Sequence, residues 1–275
     1  SKSRYSISSF VTLIMGNSQS SSNQKQASKV PLTSASIREA VRLWCEDPAQ
    51  ATAEHGRIED WDTSEVTDVH NLFEDQKTFN DDISGWDMSN VTTSGEMFQC
   101  ATAFNQDISG WDMSNVTVLK AMFRGATSFN QDLSEWDVSS VTDMSSLFSH
   151  AKAFNQDVGG WNVSSVIYMG GMFNAAAAFN QDLSGWDVSN VTTMKYMFCG
   201  ARSFNPDISK WDISNVINVT QMFQCASSFN QDISGWDVSS VTDMSRMFPG
   251  AKSFNQDLSG WDVSSVVTDM SDIFH

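Results

Sequence analysis

Residues 108–132 read Ile108-Ser109-Gly110-Trp111-Asp112-Met113-Ser114-Asn115-Val116-Thr117-Val118-Leu119-Lys120-Ala121-Met122-Phe123-Arg124-Gly125-Ala126-Thr127-Ser128-Phe129-Asn130-Gln131-Asp132, and the same pattern returns along most of the chain. Trp61, Trp86, Trp111, Trp136, Trp161, Trp186, Trp211, Trp236 and Trp261 recur at a constant 25-residue interval. A fixed period of this size marks a stacked array, because one short unit cannot bury its apolar side alone and must cover it with the next. Nine coils follow, the last incomplete and carrying one extra residue at Val266 or Val267.

Within the coil, Ile108, Trp111, Met113 and Val116 are spaced as the inward residues of a leucine-rich-repeat strand. Leu119, Met122, Phe123 and Ala126 then fall at the spacing of one apolar helical face, which predicts a short helix. Ser114, whose equivalent is Ser in all nine coils, or Asn115 is placed to cap it. Phe129-Asn130-Gln131-Asp132 closes the coil, with Phe79 to Phe254 as a buried aromatic row and Asn80 to Asn255 as a ladder of buried amides. The expected fold is α/β, a leucine-rich-repeat-like solenoid with one strand and one short helix per 25-residue coil.

WDVSSVTDM, MF-x-x-A-x-x-FNQD and the closing LSGWDVS resemble the repeat of the BspA-like leucine-rich-repeat surface proteins, over residues 58–275. That resemblance implies a right-handed solenoid, a cell-surface or secreted location and an adhesive or other binding role, with no catalytic residues.

The ends divide from the array. Residues 30–57 are expected to form a helical N-terminal cap, with Ile37, Ala40, Val41 and Trp44 on one face, Thr33 or Ser34 capping and Pro48 opening a second helix that runs to Gly56. Residues 1–29 read as a disordered or targeting segment. Lys2 and Arg4 ahead of Phe10–Met15 suit a signal-peptide core, whereas Met15-Gly16-Asn17-Ser18-Gln19-Ser20 fits N-myristoylation at Gly16 and an intracellular, membrane-associated location. At the other end the chain stops at His275 within the expected last helix, which reads as a fragment end.

With 33 acidic against 16 basic residues, a net charge of −17, the chain is repelled from nucleic-acid phosphates and anionic lipid, and cationic partners suit it better. Membrane contact is expected only through an N-terminal lipid or signal segment. Cys45, Cys100, Cys199 and Cys225 lack metal or redox spacing and read as free thiols, with a Cys199–Cys225 disulfide as the alternative. His55, His70, His150 and His275 occupy unrelated repeat positions. Polar groups repeated eight or nine times argue for structure over catalysis, so the reading is a non-enzyme without a cofactor.

Asp follows Trp in eight coils, Asn162 replacing it once, and neighbouring charges about 4.8 Å apart would repel by about 0.9 kcal/mol even in water. Hydrogen bonding to Ser and backbone amides is one remedy. The alternative is calcium bound by Asp87, Asp112, Asp137, Asp187, Asp212 and Asp237. Asn90, Asn115, Asn162, Asn190 and Asn218 begin glycosylation sequons that capping also explains. A row of Thr67, Thr92, Thr117, Thr142, Thr192 and Thr242, broken at Ile167 and Ile217, raises ice or mineral binding as a minor alternative. The outward residues of the expected strand are uniform apart from Glu135 and Lys210. Variation lies on the other side, at Lys120, Arg124, His150, Tyr168, Lys195, Tyr196, Arg202, Arg246 and Lys252. The functional expectation is therefore a surface or secreted module that binds a protein or an extracellular polymer, with a structural spacer or membrane-attached scaffold as the alternative.

Overall fold

The structure, a computed structural model, describes residues 30–274; Gly16, the Phe10–Met15 stretch and His275 lie outside the described residues. From Pro31 onward the chain forms one compact unit. It opens with α1 (Ser34–Glu46) and α2 (Pro48–His55). Thr33 caps α1 through a reciprocal pair of bonds with Ser36, and Ile37, Ala40 and Val41 form its buried face. Asp47 caps α2 by accepting from the Gln50 amide, and Pro48 fits the first turn, where no amide is needed. The helices are joined to the first coil by specific bonds. Ser34 Oγ accepts from the amides of Thr67 and Asp68, Arg38 pairs with Asp68 at 3.0 Å, and Trp44 Nε1 donates to Asp81 at 2.9 Å.

The coils that follow contain neither the strand nor the helix that the spacing predicts. The only regular elements among the described residues are α1, α2 and one short 3-10 turn at Ile58–Asp60, so the leucine-rich-repeat α/β solenoid is the wrong architecture. The inward residues are those expected: Ile108, Val116, Leu119, Met122, Phe123, Ala126 and Phe129 have no exposed surface. What differs is the backbone that delivers them inward. In the expected strand, the Trp111 amide donates to the Ile108 carbonyl and the Val116 amide to the Met113 carbonyl, so the segment is two tight turns. Successive coils share single parallel bridges, such as Thr93 with Val118 and Val118 with Asp143, which are too short to make a strand.

In the expected helix, the amides of Leu119, Ala121, Phe123 and Gly125 donate to the carbonyls of Asp143, Ser145, Leu147 and Ser149 in the next coil. The alternate amides of Met122, Arg124 and Ala126 turn back to Leu119, Ala121 and Phe123. A helix would have sent all of these bonds along itself. Here half of them tie one coil to the next, while the apolar side chains keep the same inward set.

This backbone needs two left-handed residues per coil, four positions apart: Ala121 (φ 54°) and Gly125 (72°), then Ser146 (59°) and His150 (60°). A residue with a Cβ pays about 1–2 kcal/mol in that region. Tyr196 (60°) and Cys225 (57°) accept it as well, because the surrounding bonds fix the conformation.

Aromatic rings fill the interior in two columns rather than one. Phe123 faces Phe129 within a coil at 4.0 Å between centroids, and each stacks on its counterpart in the next, Phe123 on Phe148 at 5.7 Å and Phe129 on Phe154 at 6.1 Å. The Trp column lies beside them, and its indole N–H groups skip back across coils: Trp136 Nε1 donates to Ile108 O at 3.1 Å and Trp161 Nε1 to Leu133 O at 2.9 Å. The asparagine ladder is present but borders solvent instead of being buried. Asn105 Oδ1 accepts from the Asn130 amide at 2.8 Å, Asn130 Oδ1 from Asn155 at 2.9 Å, and so on from Asn80 to Asn255. Gln131 and Gln156 add side-chain bonds to the Asn105 and Asn130 carbonyls, a position that Pro206 vacates in one coil.

Phe154→Ala should cost about 3–5 kcal/mol, the range for an enclosed Phe. Phe254→Ala, in the less covered last complete coil, should cost clearly less. Urea melts of the two variants measure the difference. Ala175, half-buried with φ 56°, gives the reverse test: Ala175→Gly should stabilise by about 0.5–1 kcal/mol, since relief of left-handed strain exceeds the entropy lost. Gly171→Ala should destabilise, because φ is 67° and the new Cβ would lie 3.2 Å from Ser146 Oγ.

Candidate functional site

The repeated polar rows are committed to the coil itself. Asp112 Oδ1 accepts from the Ser114 amide at 3.0 Å and the Ser114 hydroxyl at 2.6 Å. Asp87 and Asp187 hold Ser89 and Ser189 in the same double bond, while Asp137, Asp212 and Asp237 accept from the amides of Ser139, Ser214 and Ser239. This is a local turn that takes the place of the expected strand. Even Asn162 keeps it, with Oδ1 accepting from both groups of Ser164. Among the described residues no three His, Cys, Asp or Glu side chains gather into a set that could hold a metal ion.

The serine bonds decide the electrostatics of the row. They hold the Asp112, Asp137, Asp187, Asp212 and Asp237 carboxyls below the ordinary carboxylate range, with the Ser side-chain bond the largest cause and the Ser amide next. At Asp112 the neighbouring charge of Asp137 pushes the other way and loses.

The sequon asparagines also carry structural bonds. Asn90, Asn115 and Asn190 donate from Nδ2 to the carbonyls of Ser64, Ser89 and Ser164 in the preceding coil, and Asn218 Oδ1 accepts from the Thr220 amide. Threonine hydroxyls do the same work, Thr117 Oγ1 donating to Thr92 O at 3.2 Å and Thr142 Oγ1 to Thr117 O at 3.3 Å. The four cysteines are free. Burial pushes the Cys45 thiol up to about 11, with Asp81 and Glu46 adding to it, and raises Cys199 as well. His150 is lowered, chiefly by burial and then by Arg124 and Lys152.

The variable set stands apart from these repeated rows, although Arg124 donates to Gln99 Oε1 and Arg246 pairs with Asp272, both at 3.4 Å. Lys120, Arg124, His150, Lys195, Arg202, Arg246 and Lys252 are all exposed, with Tyr168 46% and Tyr196 37% exposed. The sequence pattern undervalues Ile167 and Ile217, which register there only as gaps in a threonine row. In the structure Ile217 is 51% exposed and Ile167 37%, and neither can make the hydroxyl bond that threonine makes to the preceding coil. A departure from the repeat that costs both a hydrogen bond and an exposed apolar side chain is the signal that marks them.

The carboxyl shifts set the acid behaviour. A lowered native pKa adds stability above the unfolded value and loses it as pH falls through the native one. The protein should hold a flat Tm from neutral pH down to about 5 and lose it below about 4, although its net charge is falling toward zero there. Ser114→Ala should raise the Asp112 titration midpoint in NMR of labelled Asp carboxyls; an unmoved midpoint would contradict the serine bond as its cause.

The family described as "Mycoplasma protein of unknown function, DUF285" matches the chain four times in overlapping register, at residues 47–141, 108–205, 131–224 and 182–275. No curated protein matches the sequence. The matches begin at Asp47, the cap of α2, and run through every coil, so the tandem repeat is what the family recognises, and the chain belongs to that family.

Proposed function

We propose that this protein is a non-enzymatic binding module, on a cell surface or secreted, that presents its variable face to a protein or an extracellular polymer. One observation carries the reading. The polar groups repeated from coil to coil are used up in turns and coil-to-coil bonds, whereas the residues that break the repeat are exposed, Glu135 and Lys210 before the tryptophan and the rest in the segment after the tryptophan turn, and include apolar and basic groups. A spacer would gain nothing from Ile217, Tyr168 or Lys195 in place of the recurrent residues. The resemblance to surface proteins supports the location. No described helix is long and apolar enough to cross a membrane.

The test is binding of the immobilised protein to a panel of purified surface proteins and matrix polymers, read by biolayer interferometry. The expected result is saturable binding that the soluble protein competes away. Competition should fail with a variant carrying Tyr168→Thr, Lys195→Thr, Tyr196→Ser and Arg202→Ser. Binding that this variant still competes would take the contact off the variable face, and no binding at all would favour the spacer.

A further inference from the structure

Four of the seven exposed large hydrophobics among the described residues, Ile167, Tyr168, Tyr196 and Ile217, fall in three successive coils; Val30, Val267 and Phe274 lie at the two ends. Beside Tyr168 and Ile217 runs a shallow groove that crosses five coils, bounded by Lys120 at one end and Lys195 toward the other, with Asp143 and Asn218 on its floor. Single parallel bridges join the coils at this position, Asp143 to Tyr168, Tyr168 to Thr193 and Thr193 to Asn218, so one residue of each coil lines the groove in register.

Its chemistry is unlike that of the rest of the surface. The chain carries 33 acidic residues and 16 basic ones, yet this groove offers two lysines, and neither pairs with a carboxylate among the described residues. The floor carboxylate is engaged, Asp143 Oδ1 accepting from the Ser145 amide at 2.8 Å. Asn218 turns its Oδ1 to the Thr220 amide, which leaves its donor end for a carbonyl. Elsewhere threonine at the Ile167 and Ile217 positions bonds the carbonyl of the coil before it, as Thr192 does to Ile167 O at 3.3 Å and Thr242 to Ile217 O at 3.1 Å. Isoleucine gives up that bond to place a branched alkyl group in water, which the stack itself does not require. Exposed apolar groups gathered with a polar rim are the mark of a contact surface.

We propose that this groove binds an extended acidic peptide of a partner protein, with one apolar residue between two carboxylates and a second beyond them; the proposal rests on the binding reading above and specifies its site. The spacing selects the pattern. Lys120 and Lys195 are three coils apart, about 14 Å at the spacing of paired strands, which equals four residues of extended chain at about 3.4 Å each. Side chains at i, i+2, i+4 and i+6 of an extended peptide share one face, so carboxylates at i and i+4 meet the two lysines, the apolar residue between them meets Tyr168, and an apolar residue at i+6 meets Ile217, one coil beyond Lys195. The net charge of the module repels acidic partners in general, and two lysines against the one carboxylate of Asp143 leave this groove with a local positive excess.

The test uses a fluorescein-labelled nonapeptide, glycine-aspartate-serine-leucine-serine-aspartate-serine-leucine-glycine, in fluorescence polarisation against the intact chain. Saturable binding is expected, weakened by salt. It should fall roughly tenfold with Lys195→Glu and again with Ile217→Thr, the latter restoring the recurrent residue and so preserving the fold. Peptides with lysine for aspartate, or serine for leucine, should not bind. No binding of the acidic peptide, or binding indifferent to both variants, overturns the proposal. So does preference of this face for an uncharged oligosaccharide, or concentration-dependent self-association in sedimentation that Ile217→Thr abolishes. Binding of panel proteins that survives Lys195→Glu and Ile217→Thr would discard this groove but keep the broader binding reading, whereas absence of any panel binding would discard that reading itself.

Discussion

The structure depends on backbone amides that leave their own coil. When Leu119, Ala121, Phe123 and Gly125 donate to the following coil, each unit completes its hydrogen bonding only by having a neighbour. Burial and hydrogen bonding then reinforce one another. The Phe columns stack at 5.7–6.1 Å because the backbone ladder holds the coils in register, and the ladder is sheltered from water because the rings close the interior. Asparagine, threonine and tryptophan side chains add further links of the same kind, each reaching to a coil nearby. Stability in such an array is a sum of terms between neighbours. The cap supplies the first of these terms, since Ser34, Arg38 and Trp44 bond the opening coil where no earlier coil exists.

The strain at the left-handed residues follows from the same constraint. A chain that alternates one bond forward to the next coil with one bond back three residues must reverse twice per coil, and the reversals fall at Ala121 and Gly125 and their equivalents. Glycine occupies only some of these places. At Tyr196 and His150 a side chain is carried in an unfavourable backbone region and is thrown outward to solvent. The device that locks the coils together thus also displays His150, Tyr196 and Arg246, while Ala121 at one of the same repeat positions stays buried.

The sequence revealed which side chains go inside and concealed how the backbone takes them there. Trp111, Met113, Val116, Leu119, Met122 and Phe123 are buried as their spacing implies. Side-chain spacing, however, does not distinguish a helix from a run of turns that points the same residues the same way. Ala121, Ser146 and Cys100 give no sign of the left-handed conformations that rule the helix out, because those conformations are imposed by bonds to other coils. The capping helix was legible for the opposite reason: Thr33, Ser36 and Pro48 act on their own segment. At the candidate site, the aspartate row could be read as a local turn with serine, a contact two residues long. The groove could not be read, since it joins residues from Lys120 to Asn218 that become neighbours only when five coils are stacked.

The central claim is that the segment after each tryptophan turn bonds to the next coil rather than to itself. NMR detection of scalar coupling across hydrogen bonds, between amide nitrogen and carbonyl carbon in the perdeuterated protein, reads this directly. The account predicts a coupling from the Phe123 amide to the Leu147 carbonyl, and likewise from Ala121 to Ser145. A coupling from the Phe123 amide to the Leu119 carbonyl, four residues back as in a helix, would contradict it.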